Sequence, residues 1–127
     1  MAKTVYLDNL ILNWVKGTAF AAAPAAVYCS LWNGDPQAAG SEVTTTIRVA
    51  GRVAITFGVV ASGAMSNSVI VNFGNAAGGA TATHFGISDA ASAGNLLGSS
   101  GLTGGTQTIL TGNPVAFAIG ALTWSES

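Results

Sequence analysis

The residues able to do chemistry are few and widely spaced. The carboxylates are Asp8, Asp35, Glu42, Asp89 and Glu126, and the chain has one histidine, His84, and one cysteine, Cys29. A glycosidase-type mechanism needs two carboxylates facing each other across a groove. Asp35 and Glu42 flank one loop and are the pair nearest to that requirement. Asp35, however, precedes Pro36 in a turn, where an Asp side chain commonly bonds its own backbone, and Asp89 opens a second turn in the same way. A metal site usually takes several His or Cys ligands, and His84 and Cys29 stand far apart in sequence. No Gly-x-Ser-x-Gly elbow accompanies His84 for acyl transfer. The pairs Gly78-Gly79 and Gly104-Gly105 lack the lysine of a phosphate loop. The residues assign no catalytic, cofactor-binding or metal site, and no cofactor. A glycan hydrolase is the remote alternative, resting on Asp35 and Glu42 alone.

The remaining candidates are contact residues. Arg48 and Arg52 are half of all the basic residues, beside Lys3 and Lys16. Their expected partners are Glu42, Asp89 or a carboxylate of a neighbouring subunit, with solvated strand-edge charges as the plainer alternative. His84 is read as a residue at a strand edge or a subunit seam, where it would make assembly sensitive to pH. Trp14, Trp32 and Trp124 are expected in the core, although an exposed Trp124 would suit a contact surface. Possible subunit contacts are therefore Arg48, Arg52, His84, Trp124 and Trp14.

The elements that must position these residues are mostly strands. The stretch from Thr83 to Gly98 reads as strand, turn, strand: Phe85 and Ile87 alternate with Gly86 and Ser88, Asp89 to Asn95 is turn chemistry, and Leu96 and Leu97 restart an apolar run. Further strands are expected over 26–32, 42–50, 53–60, 69–73, 107–110 and 115–124, with breaks at Asn33-Gly34-Asp35-Pro36, Ser62-Gly63, Ser66-Asn67-Ser68 and Gly112-Asn113-Pro114. About eight short strands with turns at this spacing predict an all-β chain: one antiparallel, jelly-roll-like β-sandwich. One helix stands apart. Leu7, Leu10, Ile11, Trp14 and Val15 mark one helical face over 4–16, with Thr4 as its cap and Gly17 just past its end. That face is expected to be buried, preferably on the chain's own β-domain, with insertion into a neighbouring subunit as the alternative. The predicted organisation is a helix over 1–17, a linker over 18–25 and a β-domain over 26–127.

Composition narrows the functional classes. Only 7% of the 127 residues are charged and the net charge is −1, against about 25% charged in an ordinary domain. No basic patch exists for phosphates, so nucleic acid is not an expected partner. The apolar runs are too short and too interrupted by Gly and Ser to span a membrane as a helix. The N-terminal residues do not read as a signal peptide, which predicts synthesis in a reducing cytoplasm. A small domain with so few charges is expected to have much of its surface covered by other subunits.

Four segments, in order, resemble a known family. They are Tyr6-Leu7-Asp8-Asn9-Leu10-Ile11-Leu12-Asn13-Trp14-Val15; Val27-Tyr28-Cys29-Ser30-Leu31-Trp32-Asn33-Gly34-Asp35-Pro36 with Gly40 to Glu42; Thr83-His84-Phe85-Gly86-Ile87-Ser88-Asp89-Ala90 with Gly94-Asn95-Leu96-Leu97 and Leu102-Thr103; and Val115 to Thr123. Together they are similar to small virion proteins of tailed phages, often labelled tail-fibre proteins, some of which look like capsid decoration (cement) proteins. The resemblance runs from about Tyr6 to Thr123. Two departures are mild: Arg48-Val49-Ala50-Gly51-Arg52 stands where the family often carries an aromatic, and an aromatic is missing after Leu97. The resemblance implies a non-enzymatic virion protein, with capsid decoration preferred and a tail-fibre or receptor-binding module as the alternative. Its implied partners are further copies of itself, as a homotrimer, and the major capsid protein or other virion proteins. No membrane or small-molecule substrate is implied.

Overall fold

The computed structural model describes residues 1–126; Ser127, the last residue of the expected β-domain, lies outside them. Two helices and twelve strands form among the described residues, and every strand pairing is antiparallel. In chain order they are β1 (Ala2–Lys3), α1 (Val5–Val15), β2 (Val27–Asn33), β3 (Ser41–Glu42), α2 (Thr44–Ile47), β4 (Val53–Ile55), β5 (Ala64–Ser66), β6 (Val71–Asn75), β7 (Ala80–Ala82), β8 (His84–Ser88), β9 (Leu96–Gly101), β10 (Gln107–Ile109), β11 (Pro114–Phe117) and β12 (Thr123–Ser125).

The main sheet runs β1-β9-β8-β2-β3, with β4 also paired to β2. At its centre the hairpin β8–β9 lies beside β2, with Ile87 opposite Cys29 on one side and Gly98 on the other. Cys29, Ser30 and Leu31 are all buried, as are Phe85 to Ser88. Residues of both pleat faces are thus covered in these two strands, which is why they carry near-continuous apolar or small residues. Three two-stranded ribbons, β7–β10, β6–β11 and β5–β12, complete the fold. Phe117 of β11 meets Phe85 of β8 edge-on at 5.7 Å and Phe73 of β6 at 6.3 Å. Leu31, Ile47, Val71, Ile87, Leu122 and Trp124 are among the residues that fill the core around them. Gly98 is required where it stands, because an added Cβ would lie 2.8 Å from the Trp124 ring.

Several expectations are corrected. Twelve strands form rather than about eight: the run 115–124 splits in two, and the short strands β1, β5 and β7 form in segments read as the helix start, a break and a loop. The segment 42–50 is not a single strand: after β3 it turns into α2, where the Thr44 hydroxyl accepts a hydrogen bond from the Leu31 amide (3.0 Å) and donates one to Glu42 (2.7 Å). That fixed hydroxyl and the complete burial of Ile47 outweigh the extended preference of a β-branched run. The alternating run 53–60 ends after Ile55, with only a bridge from Phe57 to Asn67 beyond it, and Val59 and Val60 are exposed. The run 115–124 splits into β11 and β12 at a turn containing Gly120 in the left-handed region (φ 81°).

The larger correction concerns α1. Its cap is as expected: Thr4 Oγ1 accepts from the Leu7 amide, and Gly17 follows in the left-handed region (φ 105°). Its root is tied to the chain's own sheet by β1 on β9, by the Thr4 amide on the Leu97 carbonyl and by the Thr4 hydroxyl on the Leu96 carbonyl. The expected burial of its apolar face does not follow. None of its residues is fully buried; Leu7, Leu10 and Ile11 are half-covered, while Trp14 and Val15 are exposed. The helix extends beyond the sheet that anchors it, so only its first turns find cover.

Candidate functional site

The polar candidates are absorbed into the scaffold. Asp35 Oδ1 accepts from the Gln37 amide at 2.9 Å, the turn role its sequence context predicts. Glu42 does not face Asp35 as a free acid: both of its oxygens are held by Arg52, from Nε (3.0 Å) and Nη2 (2.9 Å), and Oε2 also accepts from Thr44. Partial burial works against the Glu42 carboxylate, but the Arg52 and Thr44 hydrogen bonds outweigh it and hold the group below the usual glutamate range. Among the described residues no group of three or more His, Cys, Asp or Glu is placed to hold a metal ion. Cys29 is buried, and burial pushes its thiol far up.

Arg52 does more than pair. Its Nη1 donates to the Ala90 and Ala93 carbonyls at 3.0 and 2.9 Å. One guanidinium thus clamps the β8–β9 turn to the segment carrying Glu42, and its flat fork can serve both partners at once. The turn is closed internally as well: Asp89 Oδ1 accepts from the Asn95 amide (2.7 Å) and Oδ2 from the Asn95 side chain (3.0 Å). The Asn95 amide is the main reason that the Asp89 carboxyl is held low. Arg48 Nη1 donates to the Gly51 and Arg52 carbonyls instead of to a carboxylate. His84 is half-buried at the start of β8, with Nδ1 2.8 Å from the Thr83 hydroxyl. Trp124 is 6% exposed and donates its indole N–H to Glu126. Glu126 in turn takes Lys3 at 2.7 Å. Of the five contact candidates, only Trp14 presents a large apolar surface, with its ring centroid 6.0 Å from that of Phe20 in the linker and the planes tilted by 39°.

Two features escaped the sequence reading. The first is Asn67, read only as a break residue. It is buried, donates from Nδ2 to the Val69 (2.9 Å) and Ala118 (3.0 Å) carbonyls, and accepts at Oδ1 from the Leu122 amide (2.9 Å). It fixes two loops whose tips expose Val69, Ile70 and Ile119.

The second is an apolar cleft of about 420 Å³ between α1, the linker and the ribbon β5–β12, walled by Ile11, Phe20, Phe57, Val60, Met65 and Trp124 among others. It lies under the overhanging helix. Away from that face Val5 and Leu12 are 73% and 64% exposed, and Val15, at the far end of the cleft face, is 69% exposed. A helix apolar on both sides is ordinarily a buried helix. The helix and the cleft beneath it leave apolar surface uncovered within the subunit, a feature that commonly accompanies interaction surfaces.

The family model described as podophage GP4 fiber I protein gp80 matches residues 2–125. The chain belongs to that family. No curated protein matches it. A member of a phage fibre family is a structural component of the virion of a tailed phage, and the resemblance read from the four sequence segments points to the same class. Among the described residues, no helix is long and apolar enough to cross a membrane. The family's members are fibre proteins by description, and the polar groups of this fibre-family chain serve its own fold. Its largest unsatisfied feature is apolar.

Proposed function

We propose that the chain is a fibre subunit of a podophage particle, and that it works by being built into an assembly rather than by turning over a substrate. The observation that carries this is the conjunction of a fibre-family match over residues 2–125 with an apolar helix left uncovered on a domain whose charges are otherwise paired or few. On this reading the main sheet and the ribbons joined to it through Phe73, Phe85 and Phe117 form a β-sandwich-like body. The helix of residues 1–17 and the linker of residues 18–25 act as its assembly arm. The subunit is a homo-oligomer, a homotrimer being the expected form, in contact with other virion proteins. Trp14 is the contact residue, while Arg48, Arg52, His84 and Trp124 act inside the subunit. Stabilisation then comes from many copies engaging at once, not from one strong site.

The scarcity of charge suits capsid decoration as well as it suits a fibre, since either buries surface with few ions to desolvate. The fibre description of the family favours the tail. Within a fibre, a structural part is favoured over a receptor-binding tip. The exposed large residues at the loop tips are aliphatic (Val49, Val59, Val69, Ile70, Leu110, Ile119), whereas binding surfaces commonly rely on aromatic anchors.

Counting copies tests this directly. Quantitative mass spectrometry of purified particles, scaled to the major capsid protein, is expected to give a number in keeping with tail appendages. Copies comparable in number to the capsid subunits would overturn the fibre reading in favour of decoration.

A further inference from the structure

We propose that Asn33 is a self-modification site, where the chain loses ammonia to its own backbone, and that the Thr83 hydroxyl is the brake that holds the reaction in check. The inference is independent of the fibre reading. Asn33 is one of eight asparagines and the only one followed by glycine. In such a pair the amide nitrogen of the second residue gives up its proton to solvent and attacks the asparagine Cγ. The new N–Cγ bond closes a five-membered succinimide, and the side-chain nitrogen takes up a proton and leaves as ammonia. Water then opens the ring at one of its two carbonyls. One opening gives aspartate. The other gives isoaspartate, whose main chain runs through the former side chain and is one methylene longer. Water is the only co-reactant, and nothing is oxidised or reduced. Glycine is the fastest second residue, because it has no Cβ to crowd the attacking nitrogen.

Three observations place the hazard and its brake. First, Asn33 is exposed at the end of β2, within reach of water. Second, the fold demands the glycine. Gly34 lies in the left-handed region (φ 92°), and an added Cβ would stand 3.1 Å from the Gly40 Cα, so the turn cannot exchange it for a residue with a side chain. Third, the attacking nitrogen is already engaged. The Gly34 amide donates to Thr83 Oγ1 at 2.7 Å. Thr83 is fixed in turn: its own amide donates to the Trp32 carbonyl at 2.8 Å. Its Oγ1 lies 2.8 Å from His84 Nδ1 and 3.5 Å from the Trp32 carbonyl, which can take the hydroxyl proton and leave the oxygen lone pairs to Gly34. A nitrogen that has lost its proton cannot make the bond to Thr83, so attack must first give that bond up. Ring closure must also turn Asn33 out of its pairing with Ser41. Failure of the brake has a local consequence. A main chain lengthened at Asn33 shifts the pairing of Trp32 with Glu42, the carboxylate that Arg52 holds.

The test is peptide mapping by mass spectrometry of the full chain, incubated at mildly alkaline pH, with aspartate and isoaspartate products separated by chromatography. In urea, Asn33 is expected to be the first of the eight asparagines to react. In the folded chain it is expected to react more slowly by an order of magnitude or more, since reaction must wait for a local opening. Thr83→Val keeps the shape and loses the oxygen. It is expected to speed the folded-state reaction about fivefold, the fold-change that matches a hydrogen bond of about 1 kcal/mol. Thr83→Ser keeps the oxygen and is expected to react like wild type. Val71→Ala controls for general loosening, because it trims the core in β6, a strand not paired with β2; it is expected to leave the rate at Asn33 unchanged. A folded wild type that reacts as fast as the chain in urea, a Thr83→Val rate equal to wild type, or a Val71→Ala rate raised as much as that of Thr83→Val each overturn the proposal. Should Thr83→Val fail to fold, amide hydrogen exchange at Gly34 in the wild type decides. Slow exchange supports the brake, and exchange as fast as in an open loop overturns it.

Discussion

Replacing Arg52 with alanine removes four hydrogen bonds at once, two to Glu42 and two to the carbonyls of the β8–β9 turn. The Arg52 and Glu42 side chains are 10% and 27% exposed, between the surface case, worth about 0–1 kcal/mol, and the fully buried case, where breaking a pair costs about 3–5 kcal/mol. A pair in this position is worth about 2 kcal/mol. The two carbonyl bonds add less than their nominal value of about 1 kcal/mol each, because the exposed turn can re-bond to water. The expected loss is about 2–3 kcal/mol, or a Tm lower by roughly 10 °C for a domain of this size. Urea unfolding at pH 7, followed by tryptophan fluorescence, measures it. Arg52→Lys should recover less than half, since an ammonium on a flexible stem cannot fork between carboxylate and carbonyls. Amide hydrogen exchange over residues 90–95 should accelerate in both variants. A loss under about 0.5 kcal/mol, or full rescue by lysine, would refute the clamp.

Asn67→Ala should cost about 2–4 kcal/mol in the same assay, because it strips partners from the Leu122 amide and from the Val69 and Ala118 carbonyls; a change within experimental error contradicts its role. Gly98→Ala should lower stability by about 1–3 kcal/mol through contact with the Trp124 ring, and should perturb the near-ultraviolet spectrum. Acid should destabilise the protein. Glu42, Asp89 and Glu126 are all held below their ordinary values, so the stability they contribute is fully present above those values and is lost as pH falls through the lowered folded-state ones. Tm should therefore decline below about pH 4.5, the ordinary glutamate value, and Glu42→Gln should make that decline shallower. A Tm that rises on acidification would contradict the assigned ion pairs.

The all-β character and the central hairpin were legible because period-2 alternation and turn residues are local signals. Phe85, Ile87, Asp89 and Asn95 do in the structure what their spacing predicts. The cap of α1 was legible for the same reason. The interruption of the longer runs was not. Whether Thr44 extends or turns depends on the Leu31 backbone and on Glu42, which no local pattern encodes. Arg52 was singled out by being charged on a neutral chain, and Glu42 was among its expected partners, yet its reach to the Ala90 and Ala93 carbonyls depends on where the hairpin lands. Asn67 looked like a break residue because turn-forming and buried asparagines share one residue type. The fate of the helix was half-written: Val5 and Leu12 lie off the expected face and already mark a helix apolar on two sides. The burial of one face on its own domain was inferred from that face alone; it holds in part for Leu7, Leu10 and Ile11 and not for Trp14 and Val15 at the end of the helix.

The most direct measurement is the position of the chain on the intact particle. Antibody-gold labelling of purified virions, viewed by electron microscopy, is predicted to place the label on appendages at the tail. Label spread over the head shell, with none at the tail, would contradict the assignment of this chain to a fibre.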